Sequence, residues 1–262
     1  MNFVAQCPQL FKKHSSTDRY TVIAKQDSLL VAVAEKRKFM LKKQDEHSHE
    51  ADVLPLLDHP NIVQLHDVTA LRYPKHLFAR AHAYAVLEFI DGENLHCYRQ
   101  GREMTPDEII AAAAQLADAT AYLHGKGFIH NDLKPHNIVM GKRPKIVDFD
   151  SVMRFDEKGF VNATPGYRSL QMRANENMSE NDIFGLGVVI YFMDKGISPY
   201  LEYTAGEFEG FYFKEKKFLE KGPAGKMRIP QLVSLVNGML SPRYQDRPTM
   251  KDVQRTLCSL SQ

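Results

Sequence analysis

Between residues 130 and 150, two clusters of polar side chains alternate with two short apolar runs. The first cluster is His130-Asn131-Asp132-Leu133-Lys134-Pro135-His136-Asn137, and the second is Asp148-Phe149-Asp150. The runs Ile138-Val139-Met140 and Ile146-Val147 have the length of short strands, and Gly141-Lys142-Arg143-Pro144 between them is turn chemistry. A hairpin of this kind brings the two polar clusters side by side. Phosphoryl transfer needs such a collection of groups. One carboxylate must sit beside an attacking hydroxyl, and an amide and a second carboxylate must hold Mg²⁺ against nucleotide phosphates. Asp132, Asn137 and Asp148 fit those tasks in chain order. A lone aspartate would be an ordinary turn residue; the whole string at this spacing carries meaning through its context.

The flanking sequence divides by character. Residues 1–19 are mixed, with a polar stretch from Lys12 to Thr17, and read as a short arm or helix, not a domain. Tyr20 to Ala24, Leu29 to Ala34 and Phe39 to Lys42, separated by polar turns, predict a three-strand meander. Asp45 to Leu57 predicts a short helix, which His59-Pro60-Asn61-Ile62-Val63 breaks to begin a strand, and Ala83 to Ile90 reads as another. After Asp91-Gly92 helices dominate. Thr105-Pro106-Asp107-Glu108 is a strong helix start, with Thr105 as cap, Pro106 in the first turn and Glu108 completing a capping box. That helix runs to about Gly125, with Ile109, Leu116 and Leu123 facing the core. A second helix from Ser179, apolar on nearly every face through Ile183 to Met193, is expected to be buried. Later helices are predicted over Gln231 to Leu240 and, capped by Thr249 with Asp252, over Met250 to Leu260.

Composition excludes several classes. At 262 residues, 44% hydrophobic and 25% charged, the chain suits one large domain or two small lobes and not a disordered segment. A net charge of +2 is too near neutral for a nucleic-acid binder. Cys7, Cys97 and Cys258 are far apart and odd in number, which points to a reducing compartment without disulfides. His47 and His49 fall on different helix faces and are read as solvated, not as ligands. No apolar run reaches membrane-spanning length and no signal peptide is evident, so the cytoplasm is expected, with delivery into a host cell as the other route.

The two polar clusters resemble the catalytic and magnesium loops of the protein-kinase family, and the resemblance covers roughly residues 20–257. It implies an α+β, bilobal protein-kinase-like fold: a small antiparallel β-sheet lobe with one short helix (residues 20–90) and a mainly helical large lobe (91–262), forming a single kinase-like domain over 1–262. Lys42 looks like the ATP-phosphate lysine, because Lys43 points to the opposite face. Glu50 stands where the family's helix glutamate pairs with it, with Glu46 as fallback. Leu87-Glu88-Phe89-Ile90 resembles the hinge, with Leu87 as gatekeeper and the adenine bonding backbone near Glu88 and Ile90. Val31, Met40 and Val139 are also assigned to the nucleotide site. Asp132 and Lys134 are the catalytic pair, with Asn137 and Asp148 the metal ligands. Lys134 favours serine/threonine over tyrosine transfer and would neutralise charge on the moving phosphate. Asp182 is expected to bond the catalytic-loop backbone, Arg247 resembles the family's terminal arginine, and His130, Phe149, Leu65 and Leu54 suit an apolar stack. Ala163 to Tyr167 resembles the peptide-binding segment.

Four departures from the family pattern matter. Ala24, Gln26 and Leu29 stand where glycines would admit phosphates to backbone N–H groups, and Asp27 adds negative charge, so weak nucleotide affinity is expected. Met40 replaces a small alanine. Asn131 replaces the arginine that greets a phosphorylated activation loop, so activation by loop phosphorylation is not expected; Gln171 likewise replaces a glutamate. Asp150 replaces glycine, giving an Asp-Phe-Asp pattern that also occurs in small-molecule kinases of the aminoglycoside and choline type; the extra carboxylate either adds a metal ligand or faces solvent.

The resemblance implies ATP-dependent transfer of the γ-phosphoryl group to serine/threonine hydroxyls of proteins, itself included, with Mg²⁺ or Mn²⁺. A pseudokinase scaffold is the alternative, supported by the glycine-free loop and Met40. A small-molecule phosphotransferase is the second alternative. A regulatory protein docking on the short small-lobe helix is also expected; nucleic acid and membrane are not.

Overall fold

Strand pairing and helix packing were read from a computed structural model, which describes residues 20–26, 29–44, 48–71, 82–155, 157, 179–199, 223–241 and 243–261. The expectations for residues 1–19, Asp27, Glu46, Ala163 to Tyr167 and Gln171 lie outside the described residues. Contacts divide the chain into two units: the chain up to Asp58 together with Val63–Asp91, and His59–Ile62 together with the chain from Gly92.

The first unit is a five-stranded antiparallel sheet in the order β1-β2-β3-β5-β4. Its strands are β1 (Thr21–Gln26), β2 (Leu29–Ala34), β3 (Arg37–Lys43), β4 (Leu65–Leu71) and β5 (His82–Glu88). Alternation decides its faces. Val22, Leu30, Ala32, Phe39, Leu41, Tyr84 and Val86 form one buried cluster with Tyr20. Tyr20 meets Phe39 edge-on and donates its hydroxyl to Asp67 Oδ2 at 3.1 Å. A register shift between Val22 and Ala24 inserts Ile23 as an extra residue and leaves it 42% exposed. β2 turns into β3 through Glu35 and Lys36, whose φ angles of 50° and 66° are those of a two-residue hairpin loop.

The helix expected over Asp45 to Leu57 is much shorter. α1 spans Glu50–Val53, and Pro55 tightens the chain beyond it into a 3₁₀ turn, Leu54–Leu56. The next strand begins at Leu65, not Ile62, because residues 59–62 are bonded elsewhere, within the second unit. His59 Nε2 lies 3.0 Å from Asp118 Oδ2, and Asn61 Nδ2 donates to Gln115 Oε1 and the Pro144 carbonyl.

In the second unit, β6 (Glu93–Asn94) leads into α2 (Leu95–Gly101), a helix the sequence reading did not predict; Asn94 caps it by accepting from Cys97 N. α3 spans Pro106–Gly125 with the full capping box: Thr105 Oγ1 accepts from Glu108 N, and Glu108 Oε2 accepts from Thr105 N. Ile109, Leu116 and Leu123 are fully buried along its inner face. β7 (Phe128–Ile129) pairs with β10 (Met153–Arg154). β8 (Ile138–Met140) and β9 (Pro144–Ile146) form the hairpin between the polar clusters. Pro144 belongs to the strand and not to the turn, a place open to proline because β9 is at the sheet's edge.

α4 (Ser179–Lys195) is buried from Asn181 through Asp194. Its C-terminal carbonyls are closed by two guanidinium groups: Arg99 donates to the carbonyls of Met193 and Asp194, and Arg228 to Asp194 O and Oδ1. α5 (Pro230–Met239) and α6 (Met250–Leu260), the latter capped by Thr249, complete the unit. Among the described residues no helix is long and apolar enough to cross a membrane.

Candidate active site

The second unit holds the catalytic loop through one buried carboxylate. Asp182, on the first turn of α4, accepts from His130 N and Asn131 N at 2.8 Å each, and lies 2.9 Å from His124 Nε2. It is 1% exposed, so this set of donors is what permits its burial. The close approach also needs glycine: a Cβ at Gly185 would stand 2.8 Å from the Leu133 carbonyl oxygen.

The loop then closes on itself. His130 Nδ1 accepts from Asp132 N at 3.3 Å and its Nε2 lies 3.2 Å from Val147 O, which assigns the proton to Nε2. Its ring meets the fully buried Phe149 edge-on at 4.8 Å. Asp132 Oδ2 accepts from Lys134 Nζ at 2.7 Å and from Asn137 Nδ2 at 3.0 Å, and Asn137 Nδ2 also donates to the Asp132 carbonyl at 2.9 Å. The carboxylate is therefore oriented by a cation and an amide together. Val147 N donates to Asn137 O, which fixes the second polar cluster to the first. Asp148 has φ 67° and Asn131 φ 64°, left-handed values that short polar side chains tolerate best. Asn131 Nδ2 reaches on to Ser151 O at 3.1 Å. Asp150 is exposed and Val139 half-buried on β8.

Arg247 donates to the carbonyls of Ser241 and Glu180 and lies over the Phe184 ring at 5.0 Å, so it braces the start of α4. His136 stacks on His96 at 4.3 Å beside this loop, so its ring is partly covered although the residue as a whole is exposed. Burial, then His96 and Lys134, hold its imidazole below the usual histidine range.

The first unit brings together the residues assigned to the nucleotide. In the sheet register Val31 pairs with Met40, Met40 with Leu87 and Lys42 with Ala85. Val31, Met40, Lys42 and Leu87 therefore share the face opposite the apolar cluster. Ala24 pairs with Val31 and joins that face. Lys42 Nζ lies 3.2 Å from Glu50 Oε1, while Lys43 is exposed on the other side. Glu88 donates its N–H to the Gln64 carbonyl at 2.9 Å, and its carboxylate accepts from Gln64 N at 3.1 Å. Ile90 follows the strand and is half-buried; Leu54 is buried and Leu65 half-buried in the same unit.

Sequence reading missed His124 as a third partner of Asp182, the His96–His136 stack, and Gln44 and Ser48 beside Glu50. These contacts join residues with no shared motif; Asn94 before the apolar Leu95 was the one local signal for the helix that carries His96.

A family model for the protein kinase domain matches residues 15–257. The chain is 29% identical over 219 residues to sperm motility kinase Z of Mus musculus, covering 78% of this chain and 40% of that protein. It is 28% identical over 221 residues to serine/threonine-protein kinase PkaA of Streptomyces coelicolor, covering 79% and 38% respectively. With CBL-interacting protein kinase 24 of Oryza sativa the identity is 28% over 224 residues, covering 78% and 44%. The chain thus spans less than half the length of these relatives. An antiparallel sheet unit, a mainly helical unit, the Asp132–Asn137 loop held by Asp182 and a family match over nearly the whole chain lead to one conclusion: this chain belongs to the protein kinase domain family.

Proposed function

We propose that this chain transfers the γ-phosphoryl group of ATP to serine or threonine hydroxyls of proteins, itself included, without requiring a phosphate on its own activation loop. The observation that carries this reading is the Asp132 carboxylate held between Lys134 and Asn137. With one oxygen fixed by those donors, the carboxylate orients a substrate hydroxyl and accepts its proton late. Lys134, already 2.7 Å from Asp132, is placed to neutralise charge on the transferring group. In the first unit Lys42, set by Glu50, serves the nucleotide phosphates, and Val31, Met40 and Leu87 the adenine.

The donor set suits Mg²⁺. Asn137 commits its amide nitrogen to Asp132, so its oxygen is the ligand atom, and Asp148 adds a carboxylate; both are hard oxygen donors. Mg²⁺ held there would supply neutralisation of phosphate charge. Independence from loop phosphorylation is supported by Asn131, which ties the catalytic loop to Ser151 by a bond that needs no added charge.

Incubating the purified chain with Mg²⁺, γ-labelled ATP and a generic protein substrate tests this, with Asp132→Ala alongside. Label on substrate or on the chain itself, lost in the variant, is expected; no label in either would defeat the reading. A pseudokinase scaffold is the second reading. It is favoured by the β1–β2 hairpin, where Ala24 and Leu29 stand in place of glycines and pairing continues to Gln26 and Leu29. Under it, ATP with Mg²⁺ leaves Tm unchanged or raises it without turnover.

A further inference from the structure

The helix that carries Glu50 is too short to hold it. α1 has four residues and Glu50 is the first, so no earlier turn of that helix fixes its backbone. Yet Glu50 is fully buried, and a buried carboxylate needs donors. Lys42 supplies one, 3.2 Å from Oε1. Gln44 supplies another: its Nε2 lies 3.4 Å from Glu50 Oε2 and 3.4 Å from the Lys42 carbonyl. Gln44 is itself anchored to the sheet, because its N–H donates to Ala83 O at 2.9 Å beyond the end of β3. Two residues after Lys42 along an extended chain, it shares that residue's face and reaches the same carboxylate. Ser48 acts from the other side, its Oγ accepting from Glu50 N at 3.3 Å. The cost shows on Gln44: its Oε1 is buried and, among the described residues, without a partner. An amide that leaves its own oxygen unsatisfied calls for an explanation in what its nitrogen does.

We propose that Gln44 is a positioning residue for the Lys42–Glu50 ion pair. Its side-chain amide pins Oε2 so that Oε1 is presented to Lys42, the task a longer helix would otherwise perform. The inference rests on Lys42 serving the nucleotide phosphates, and the experiment separates the two ideas.

Calorimetric titration with ATP and Mg²⁺ is carried out on wild type, Gln44→Ala and Gln44→Glu across a pH series, with Tm recorded for each. Gln44→Ala is expected to weaken binding about tenfold, the worth of one hydrogen bond to a charged group. Gln44→Glu keeps the shape but loses the donor and sets a second carboxylate against Glu50. It should weaken binding more than Gln44→Ala at neutral pH. Burial and the neighbouring Glu50 raise the introduced carboxyl's pKa, so as pH falls it regains a proton to donate. Its affinity, relative to wild type at the same pH, should then recover. Variants that lose Tm but bind ATP as wild type does would overturn the inference and reduce Gln44 to a structural residue; so would a Gln44→Glu defect that stays constant with pH. If that variant fails to fold, Gln44→Ala binding as wild type overturns the inference and a tenfold loss supports it. Wild type that binds no nucleotide would instead overturn the assignment of Lys42, and the inference with it.

Discussion

The two units position their charged groups in opposite ways. In the second, the catalytic loop is held from beneath by a buried helix: Asp182 takes donors from His130 N, Asn131 N and His124, Gly185 lets the helix touch the loop, and both helix ends are bonded by arginines. In the first, the Lys42–Glu50 pair depends on strand register, one turn of helix and the two long bonds of Gln44. The difference teaches where tolerance lies. Removing one contact from the second unit leaves buried polar groups without partners, whereas the Lys42–Glu50 pair of the first unit rests on bonds of 3.2 and 3.4 Å, and the proposed nucleotide site is where affinity would be tuned.

The largest expected effect comes from that contrast. Asp182→Ala orphans two buried backbone N–H groups and should cost about 3–5 kcal/mol of stability, measured by denaturant unfolding. A cost below that of an ordinary surface change would break the comparison. Gly185→Ala drives a methyl group against the Leu133 carbonyl and should cost about 1–3 kcal/mol, with a loss of turnover exceeding any change in KM for ATP. Glu50→Gln keeps the shape of a buried, ion-paired side chain while removing its charge, and should raise KM for ATP as well as lower Tm.

Smaller effects sharpen the picture. Glu108, at the start of α3, has its carboxyl held below the usual range, first by the Thr105 N–H and next by Arg102. Its contribution is therefore present above the ordinary carboxylate range and lost as pH falls through the lowered value. Because the side chain is 41% exposed, Glu108→Gln should cost only on the order of 0.5 kcal/mol at neutral pH. The Tm gap to wild type should close on acidification. Replacing Glu35-Lys36 by Asn-Gly relieves two left-handed non-glycine residues and should stabilise the first unit by roughly 1 kcal/mol or less, seen as a small rise in Tm.

Much of this was legible in the chain because it is local. The Thr105–Glu108 box, the apolar run of α4 and the spacing from His130 to Asp148 each fall within one element or one hairpin, where periodicity and turn chemistry apply. The strand alternation that places Met40 and Lys42 on one face is local too. What escaped reading was set by distance. Nothing near Gln44 in sequence announces that its amide meets Glu50, and nothing near His59 announces Asp118; the strand forecast at Ile62 failed for that reason. The helix at Glu50 was overestimated toward its C-terminus because Pro55 stops propagation within a turn. α2 was missed because seven residues give too little periodicity to register.

The most direct test is a time course of label transfer from γ-labelled ATP with phosphatase-treated wild type and Asp132→Asn, followed by phosphoamino-acid analysis. Transfer onto serine or threonine from the first time point, absent in the variant, is the predicted result. Equal label in both proteins, label on tyrosine alone, or a lag abolished by preincubation with ATP would contradict it.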